Sequence, residues 1–114
     1  MGKDALALIK GTLDVLILKS LHWGPLHGYA VSRWIRQVSG EVLDVQEGVL
    51  YPALHRLERQ GLVRAEWGLS DTNRKVKYYE LTDLGTERLN DQEADWARYS
   101  DAMDKVLGAT QQPS

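Results

Sequence analysis

Two groups of cationic side chains in the middle of the chain have the types and the spacing needed to bind an anionic polymer. They are His55, Arg56 and Arg59, and then Arg74, Lys75 and Lys77. Lysine and arginine neutralise phosphates, and arginine and histidine can also donate hydrogen bonds to the edges of bases. This chemistry predicts contact with a nucleic acid, although any one of these residues alone is also compatible with an ordinary solvated surface.

The distribution of charge favours the same interpretation, even though the net charge of the 114-residue chain is only -2. Residues 48–79 carry six arginines and lysines against three acidic residues. Residues 83–105 carry seven acidic residues against three basic ones. Positive charge is therefore concentrated where phosphates would lie, and negative charge lies elsewhere.

A helix and a β-hairpin are predicted to position these cations. Five apolar residues recur at helical spacing and predict one buried helix face: Val49, Leu50, Ala53, Leu54 and Leu57. After Gly61 the apolar pattern alternates, residues 68–74 are rich in turn formers, and residues 75–81 are the predicted returning strand. A helix followed by a basic hairpin is typical of the winged helix-turn-helix, whose helix enters the major groove while the wing contacts the neighbouring backbone.

The start of this helix is predicted from a possible capping box. Asp44 is followed three residues later by Glu47, so the helix is expected to begin near Val45 or Gln46. Pro52 then falls within the first two turns, where it removes one backbone donor and predicts a late start or a bend.

Three further helices are predicted from apolar periodicity. Residues 6–21 are apolar on two faces, which indicates either contact with both the domain and a second subunit or a central place in a monomer's core. Residues 29–38 form the next helix, at whose start Tyr29 can donate to a phosphate. Thr82 is the predicted N-cap of the last helix, whose seam residues recur every three or four positions: Leu89, Gln92, Trp96, Tyr99, Met103 and Val106. A protruding seam needs a partner, and a second copy of the chain is expected.

Three separated motifs resemble the PadR-like family of transcriptional regulators. They are GTLDVLILKSLHWGPLHGYAV, GVLYPALHRLERQGLV and YYELTDLG, which occur in this order over nearly the whole chain. The resemblance implies a mainly α fold with a small β-hairpin (α+β), namely a winged helix-turn-helix plus one long C-terminal helix. It implies a homodimer that binds a near-palindromic operator in double-stranded DNA, and it places Tyr51, Pro52, His55 and Arg56 near that DNA.

The expected organisation has three segments. Residues 1–81 form the winged helix-turn-helix DNA-binding domain, with the wing at about 62–81. Residues 82–108 form the C-terminal dimerisation helix, and residues 109–114 form a flexible tail.

The resemblance also implies a site for a small aromatic or apolar effector. In compact PadR-like regulators with a single C-terminal helix, a tryptophan of that helix can line a cavity between subunits and stack on flat apolar molecules. Trp96 stands in such a place here, and the other expected lining residues are Val15, Leu18, Gln92, Tyr99 and Met103. The alternative is that Trp96 packs across a dimer seam that contains no cavity.

Composition gives little support to catalysis, a metal or a cofactor. The chain has no cysteine, and its three histidines do not show metal-ligand spacing with a carboxylate. No nucleophile with a base and no phosphate-binding loop is present. The start of the chain has no cleavage signal, and no apolar run has membrane-spanning length, so a cytoplasmic protein without a membrane partner is expected.

The function predicted from these observations is that of a sequence-specific DNA-binding regulator, expected to repress transcription and to release DNA when an effector binds between subunits. One alternative is a winged-helix module that binds another protein and no small molecule. Another is a drug-sequestering protein whose DNA binding is vestigial.

Overall fold

The alternation of helical and strand-like periodicity produces four helices and three short strands in the part of the chain that the structure, a computed structural model, describes, residues 11–114. In chain order they are α1 Leu13–Ser20, β1 Leu26–His27, α2 Gly28–Val38, α3 Glu47–Arg59, β2 Val63–Leu69, β3 Lys75–Leu81 and α4 Asp83–Leu107. The predicted α+β class, with a hairpin and one long last helix, is confirmed. The predicted first helix began at residue 6, and residues 6–10 lie outside the described residues.

Apolar residues from the four helices and the sheet form one core. The fully buried side chains are Ile17, Leu18, Leu21, Val31, Leu50, Leu54, Leu57, Leu62, Val63, Tyr79 and Leu89. Four of the five residues predicted for the inner face of α3 are buried. The prediction was wrong for Val49, which is 48% exposed because it lies on the outer side of the first turn, away from Leu50.

The hairpin forms as predicted, and a third strand extends it. The strands β2 and β3 pair antiparallel from Val63 opposite Leu81 to Leu69 opposite Lys75. The two residues of β1 pair with the other edge of β3, so the strand order is β1-β3-β2. Periodicity did not indicate β1, because two residues show no alternation and the strand exists only through pairing with Tyr78 and Tyr79.

The start of α3 differs from the predicted capping box. The helix begins at Glu47, and its N-cap residue Gln46 makes no side-chain cap hydrogen bond. The carboxylate of Asp44 instead accepts a hydrogen bond from the side-chain amide of Gln46. The helix continues through Pro52, whose ring is exposed and which has no N–H to donate to the carbonyl of Gly48.

The root of α4 is held tightly against the turn between α3 and β2. The predicted cap is confirmed: the Thr82 hydroxyl accepts from the Gly85 N–H at 3.0 Å and donates to the Gly61 carbonyl at 2.6 Å. The Thr82 N–H donates to the Leu62 carbonyl at 3.1 Å. A Cβ at Gly85 would lie 1.9 Å from that same oxygen, so only glycine allows this approach.

Beyond its root, α4 leaves the core. The buried residues of this helix are Gly85 and Leu89. Further along, Lys19 of α1 reaches Glu93 with 3.3 Å between the ammonium and the carboxylate. In residues 11–114, no helix combines the length and the apolar character needed to cross a membrane.

Candidate nucleic-acid interface

The outer face of α3 presents a row of side chains that project from the protein surface into solvent. Pro52, His55 and Arg59 are three and four residues apart and are all exposed. We call these three residues the outward row. None of them makes a side-chain hydrogen bond or ion pair with the rest of residues 11–114. A row of this kind on an exposed helix is free to approach a large ligand.

Tyr51 lies on the side of α3 that faces α2, and its ring is half-buried. A Cβ at Gly28 would lie 2.7 Å from the Tyr51 hydroxyl and ring, so a side chain at position 28 would force the Tyr51 ring to move. Burial raises the pKa of the Tyr51 hydroxyl, and the carboxylate of Glu47 raises it further. The hydroxyl therefore remains a hydrogen-bond donor at neutral pH.

Arg56 lies on the opposite side of α3, where it pairs with Asp14 of α1. The guanidinium donates two parallel hydrogen bonds to the carboxylate, Nη1 to Oδ2 and Nη2 to Oδ1, both at 2.8 Å. This hydrogen bonding raises the pKa of Arg56, which stabilises the charged guanidinium. A predicted DNA contact is thus already occupied by a protein carboxylate.

The wing consists of β2, β3 and the turn between them. Some of its cations pair with carboxylates, and others do not. Lys77 reaches Glu58 of α3 at 3.6 Å, and Arg64 donates to Glu80 across the hairpin at 2.8 Å. Arg74 is exposed at the turn, and no carboxylate of residues 11–114 lies within ion-pair distance of it. The ammonium of Lys75 lies 5.1 Å from the centre of the exposed Trp67 ring, a cation–π contact.

An open cleft of about 790 Å³ separates the wing from α2 and α3. Predicted site residues line much of it: Tyr29, Tyr51, His55, Arg74, Lys75 and Lys77. The cleft therefore brings together all the predicted DNA-contacting residues except Pro52 and Arg59, which lie on the neighbouring outer face, and Arg56.

The cleft residues that the sequence did not identify include His27, Arg33 and Trp67. Arg33 lies one turn after Tyr29 and its guanidinium is 5.4 Å from that ring, so helical spacing from Tyr29 could have identified it. His27 caps α2 through its Nδ1, which accepts from the Ala30 N–H at 3.2 Å. A neutral imidazole that accepts at Nδ1 carries its proton on Nε2 and can donate there. No spacing rule signals such a cap.

The predicted effector residues lie on α1 and on the middle of α4. Trp96 is 45% exposed, and its ring centre lies 5.8 Å from that of Tyr99. Met103 is exposed further along the helix. Gln92 is half-buried, and its side-chain oxygen is buried without a hydrogen-bond partner among the described residues.

The two predicted wall residues on α1 differ in accessibility. Val15 is half-buried and lies at the edge of the core. Leu18 is fully buried, because it faces the interior formed by α2 and α3. The side chain of Leu18 has no surface that a ligand could reach in one chain, and its place in a cavity between two chains stays a prediction.

The fold and this surface define a winged helix-turn-helix protein with a long C-terminal helix. The family described as the transcriptional regulator PadR-like family matches residues 17–91. The chain is also 30% identical over 100 residues to a Lysinibacillus sphaericus protein named Uncharacterized protein X, with 88% of this chain and 92% of the relative covered.

Solved structures agree with this match. A transcriptional regulator from Clostridium thermocellum superposes with a TM-score of 0.76 at 29% identity and covers 84% of this chain and 90% of its own. Bacillus subtilis PadR in complex with operator DNA superposes with a TM-score of 0.64 at 28% identity, covering 71% of this chain and 46% of that one. This chain belongs to the PadR-like family of transcriptional regulators. The predicted family and the prediction that the chain is not an enzyme are confirmed.

Proposed function

We propose that the chain binds operator DNA in a sequence-specific manner, with α3 as the recognition helix in the major groove and the wing on the neighbouring backbone. The observation that carries the proposal is the outward row, which is exposed and, like Arg74 of the wing, has no ion-pair partner among residues 11–114. His55 and Arg59 would contact bases or phosphates, and Pro52 would pack at the groove surface. Similarity to a PadR that was solved with operator DNA supports the same arrangement.

The phosphate contacts would come from the cleft and the wing. Tyr29 is exposed at the start of α2 and can donate its hydroxyl to a phosphate oxygen. Arg74 and Lys75 would add charge without reading sequence. Tyr51 and Lys77 are held by Gly28 and Glu58, so they would shape the cleft and contribute to DNA binding from fixed positions.

A homodimer is proposed from the exposed apolar side of α4. Trp96, Tyr99, Met103 and Val106, which we call the α4 seam, lie on one side of the helix and are 39% or more exposed in a single chain. Burying such a seam against a second copy would remove a large apolar surface from water. Two recognition helices would then meet successive major grooves of a near-palindromic operator.

The sign of regulation is proposed to be repression, because a bound dimer would occupy a promoter. A relative named Negative transcriptional regulator PadR, from Bacillus subtilis, is 29% identical over 79 residues and is covered over 43% of its length. The match covers 69% of this chain, which supports a shared mode of action.

Binding is tested with duplexes that the purified chain selects from a random pool and with the DNA upstream of its own coding region. A mobility shift at two salt concentrations, in the presence of excess non-specific competitor, should show a competitor-resistant complex that weakens as salt rises. Arg59→Ala should weaken the selected duplex more than a scrambled duplex. If no duplex is enriched and none is shifted, the DNA-binding proposal fails and a protein-binding winged helix takes its place.

A response to a small aromatic or apolar effector is the second proposed activity. It is supported by Trp96 and Tyr99, which are adjacent and exposed on the α4 seam, and by the unpartnered oxygen of Gln92 beside them. An effector would release DNA by binding better to a dimer whose recognition helices are wrongly spaced.

Titration of planar aromatic cations should quench tryptophan fluorescence in the wild type and much less in Trp96→Leu. The same compounds should release the selected duplex in the mobility shift. Unchanged fluorescence at saturating concentration, with Trp96 shown to contribute to the signal, would eliminate a cavity at this place.

A further inference from the structure

We infer that Asp14 and Arg56 form a positioning pair that sets the rotation of the recognition helix, and that Arg56 does not itself bind DNA. This inference rests on the proposed function and goes beyond it, because it removes one cation from the DNA surface and assigns a role to a carboxylate of α1. The two residues are 42 positions apart in the chain and are joined by two hydrogen bonds of 2.8 Å.

The geometry of the pair restricts rotation. A guanidinium that meets a carboxylate through two parallel hydrogen bonds is held in one plane and at one distance. The side chains of Asp14 and Arg56 are 25% and 39% exposed, so water screens this pair less than it screens the wing pair of Arg64 and Glu80. A phosphate would have to displace a carboxylate that already occupies two donors of Arg56 and repels it.

The anchor on α1 is rigid. Ile17 and Leu18 follow Asp14 by three and four residues and are fully buried, so the backbone that carries the carboxylate is fixed in the core. Glu58, on the other side of α3, pairs with Lys77 of the wing at 3.6 Å. A single contact of this length fixes the rotation of α3 much less than the two parallel hydrogen bonds of Arg56 and Asp14, and the outward row lies between the two contacts.

Rotation of α3 matters because base contacts depend on direction. A rotation of about 20° moves side-chain tips by roughly 2 Å on a helix of ordinary radius. Hydrogen bonds to base edges tolerate only a few tenths of an ångström. Loss of the pair would therefore reduce discrimination between sequences while leaving the phosphate contacts of the wing in place.

The test compares Asp14→Asn, Arg56→Gln and the double variant on a duplex that the wild type selects from a random pool and on a scrambled duplex. Each single change should weaken the selected duplex by about tenfold, and the double variant should be no weaker than either one, since both changes remove the same contact. The dependence of affinity on salt should keep the wild-type slope. Affinity for the scrambled duplex should not fall.

The sign of the Asp14→Asn result distinguishes positioning from direct contact. Removing a carboxylate near DNA should tighten binding if charge alone matters. Glu58→Gln is the matched control, because it makes the same chemical change on the other side of α3 and frees Lys77; it should leave affinity equal or raise it. Arg56→Lys provides a second check, since lysine keeps the charge but cannot form the double hydrogen bond, so it should lose specific affinity as Arg56→Gln does.

Circular dichroism melts establish that each variant is folded at the temperature of the binding assay. Tighter binding by Asp14→Asn, or a salt slope lowered by about one in Arg56→Gln but not in Arg56→Lys, would overturn the inference and make Arg56 a phosphate contact. Wild-type specificity in all the variants would overturn it as well. If the wild type binds no DNA, the proposed function fails first; the melts then still test the pair, whose absence would leave the melting temperature unchanged.

Discussion

The surface formed by α3 and the wing differs from the α4 seam in how many of its side chains are already packed or paired within a single chain. On α3, four apolar residues face the core, Arg56 and Glu58 have partners on either side, and the outward row between them has none among residues 11–114. On α4, the seam is apolar and exposed over most of its length. The first surface suits a polar, wet ligand that arrives after folding, whereas the second suits a partner with which the chain folds or assembles.

Breaking the α4 seam should have the largest effect. Met103→Asp places a charge in the seam and should convert the proposed dimer to a monomer. Affinity for a two-half-site duplex should then fall on the order of 100-fold, because two linked binding events become one. Light scattering reports the mass, and mobility shift reports the affinity.

Ala94→Asp is the control for this change. It introduces the same side chain into the same helix, at an exposed position outside the seam. It should leave both the mass and the affinity close to those of the wild type. A monomeric wild type, or a dimeric Met103→Asp, would show that the seam is not the interface.

The second-largest effect is expected at the contact between α2 and α3. In Gly28→Ala the added methyl group meets the Tyr51 ring at 2.7 Å, and we expect the free energy of unfolding to fall by about 1–3 kcal/mol. Gly48→Ala is the matched control, since a Cβ there meets nothing within 4 Å and α3 gains helix propensity. Urea unfolding should show opposite signs for the two changes, and equal losses would contradict the close packing of Tyr51.

The wing offers a sharper comparison between an unpaired and a paired cation. Arg74→Gln should weaken all duplexes alike and reduce the salt slope by about one, because an unpaired cation at the turn is free to neutralise a phosphate. Arg64→Gln should change the slope much less, because Arg64 donates to Glu80. A loss in Arg74→Gln that is confined to the selected sequence would show that the wing reads bases.

The smallest effect is expected at alkaline pH. Burial raises the pKa of Tyr79, with Glu58 and Tyr51 contributing, and burial with Glu47 raises the pKa of Tyr51. Because these pKa values are raised in the folded chain, the stabilisation is complete below the ordinary value of about 10 and is lost as pH rises through the folded values. Urea unfolding at increasing pH should show a small alkaline loss of stability, reduced in Tyr51→Phe. An alkaline loss of equal size in the Phe variant would assign it elsewhere.

Periodicity was enough to predict the elements whose residues repeat. The inner face of α3, the second strand and the Thr82 cap each follow from spacing or from one local hydrogen bond. The strand β1 could not be predicted in this way, since its existence depends on pairing with β3, some fifty residues further along the chain.

The site was predicted less completely, because its charges depend on distant partners. Helical spacing placed Arg56 on an outer face of α3, but only the packing of α1 against α3 brings Asp14 to it. Leu18 shows the same limit, since the pattern of α1 indicated two apolar faces without telling which one enters the core. Which cations remain free is a property of the assembled fold.

Because Gly85 packs directly against the Leu62 carbonyl, α4 is rigidly attached at its first turn. With no space for a hinge at its root, the 25-residue helix, about 37 Å long, passes angular changes at its far end to the turn that joins α3 to the wing. A change of about 5° in the crossing angle of two such helices would displace the attached wing by roughly 3 Å, close to the rise of one base pair, about 3.4 Å. In a dimer that pairs through this helix, the crossing angle of the two α4 helices would therefore determine how the two wings align with the two half-sites, although the helices cross far from the DNA.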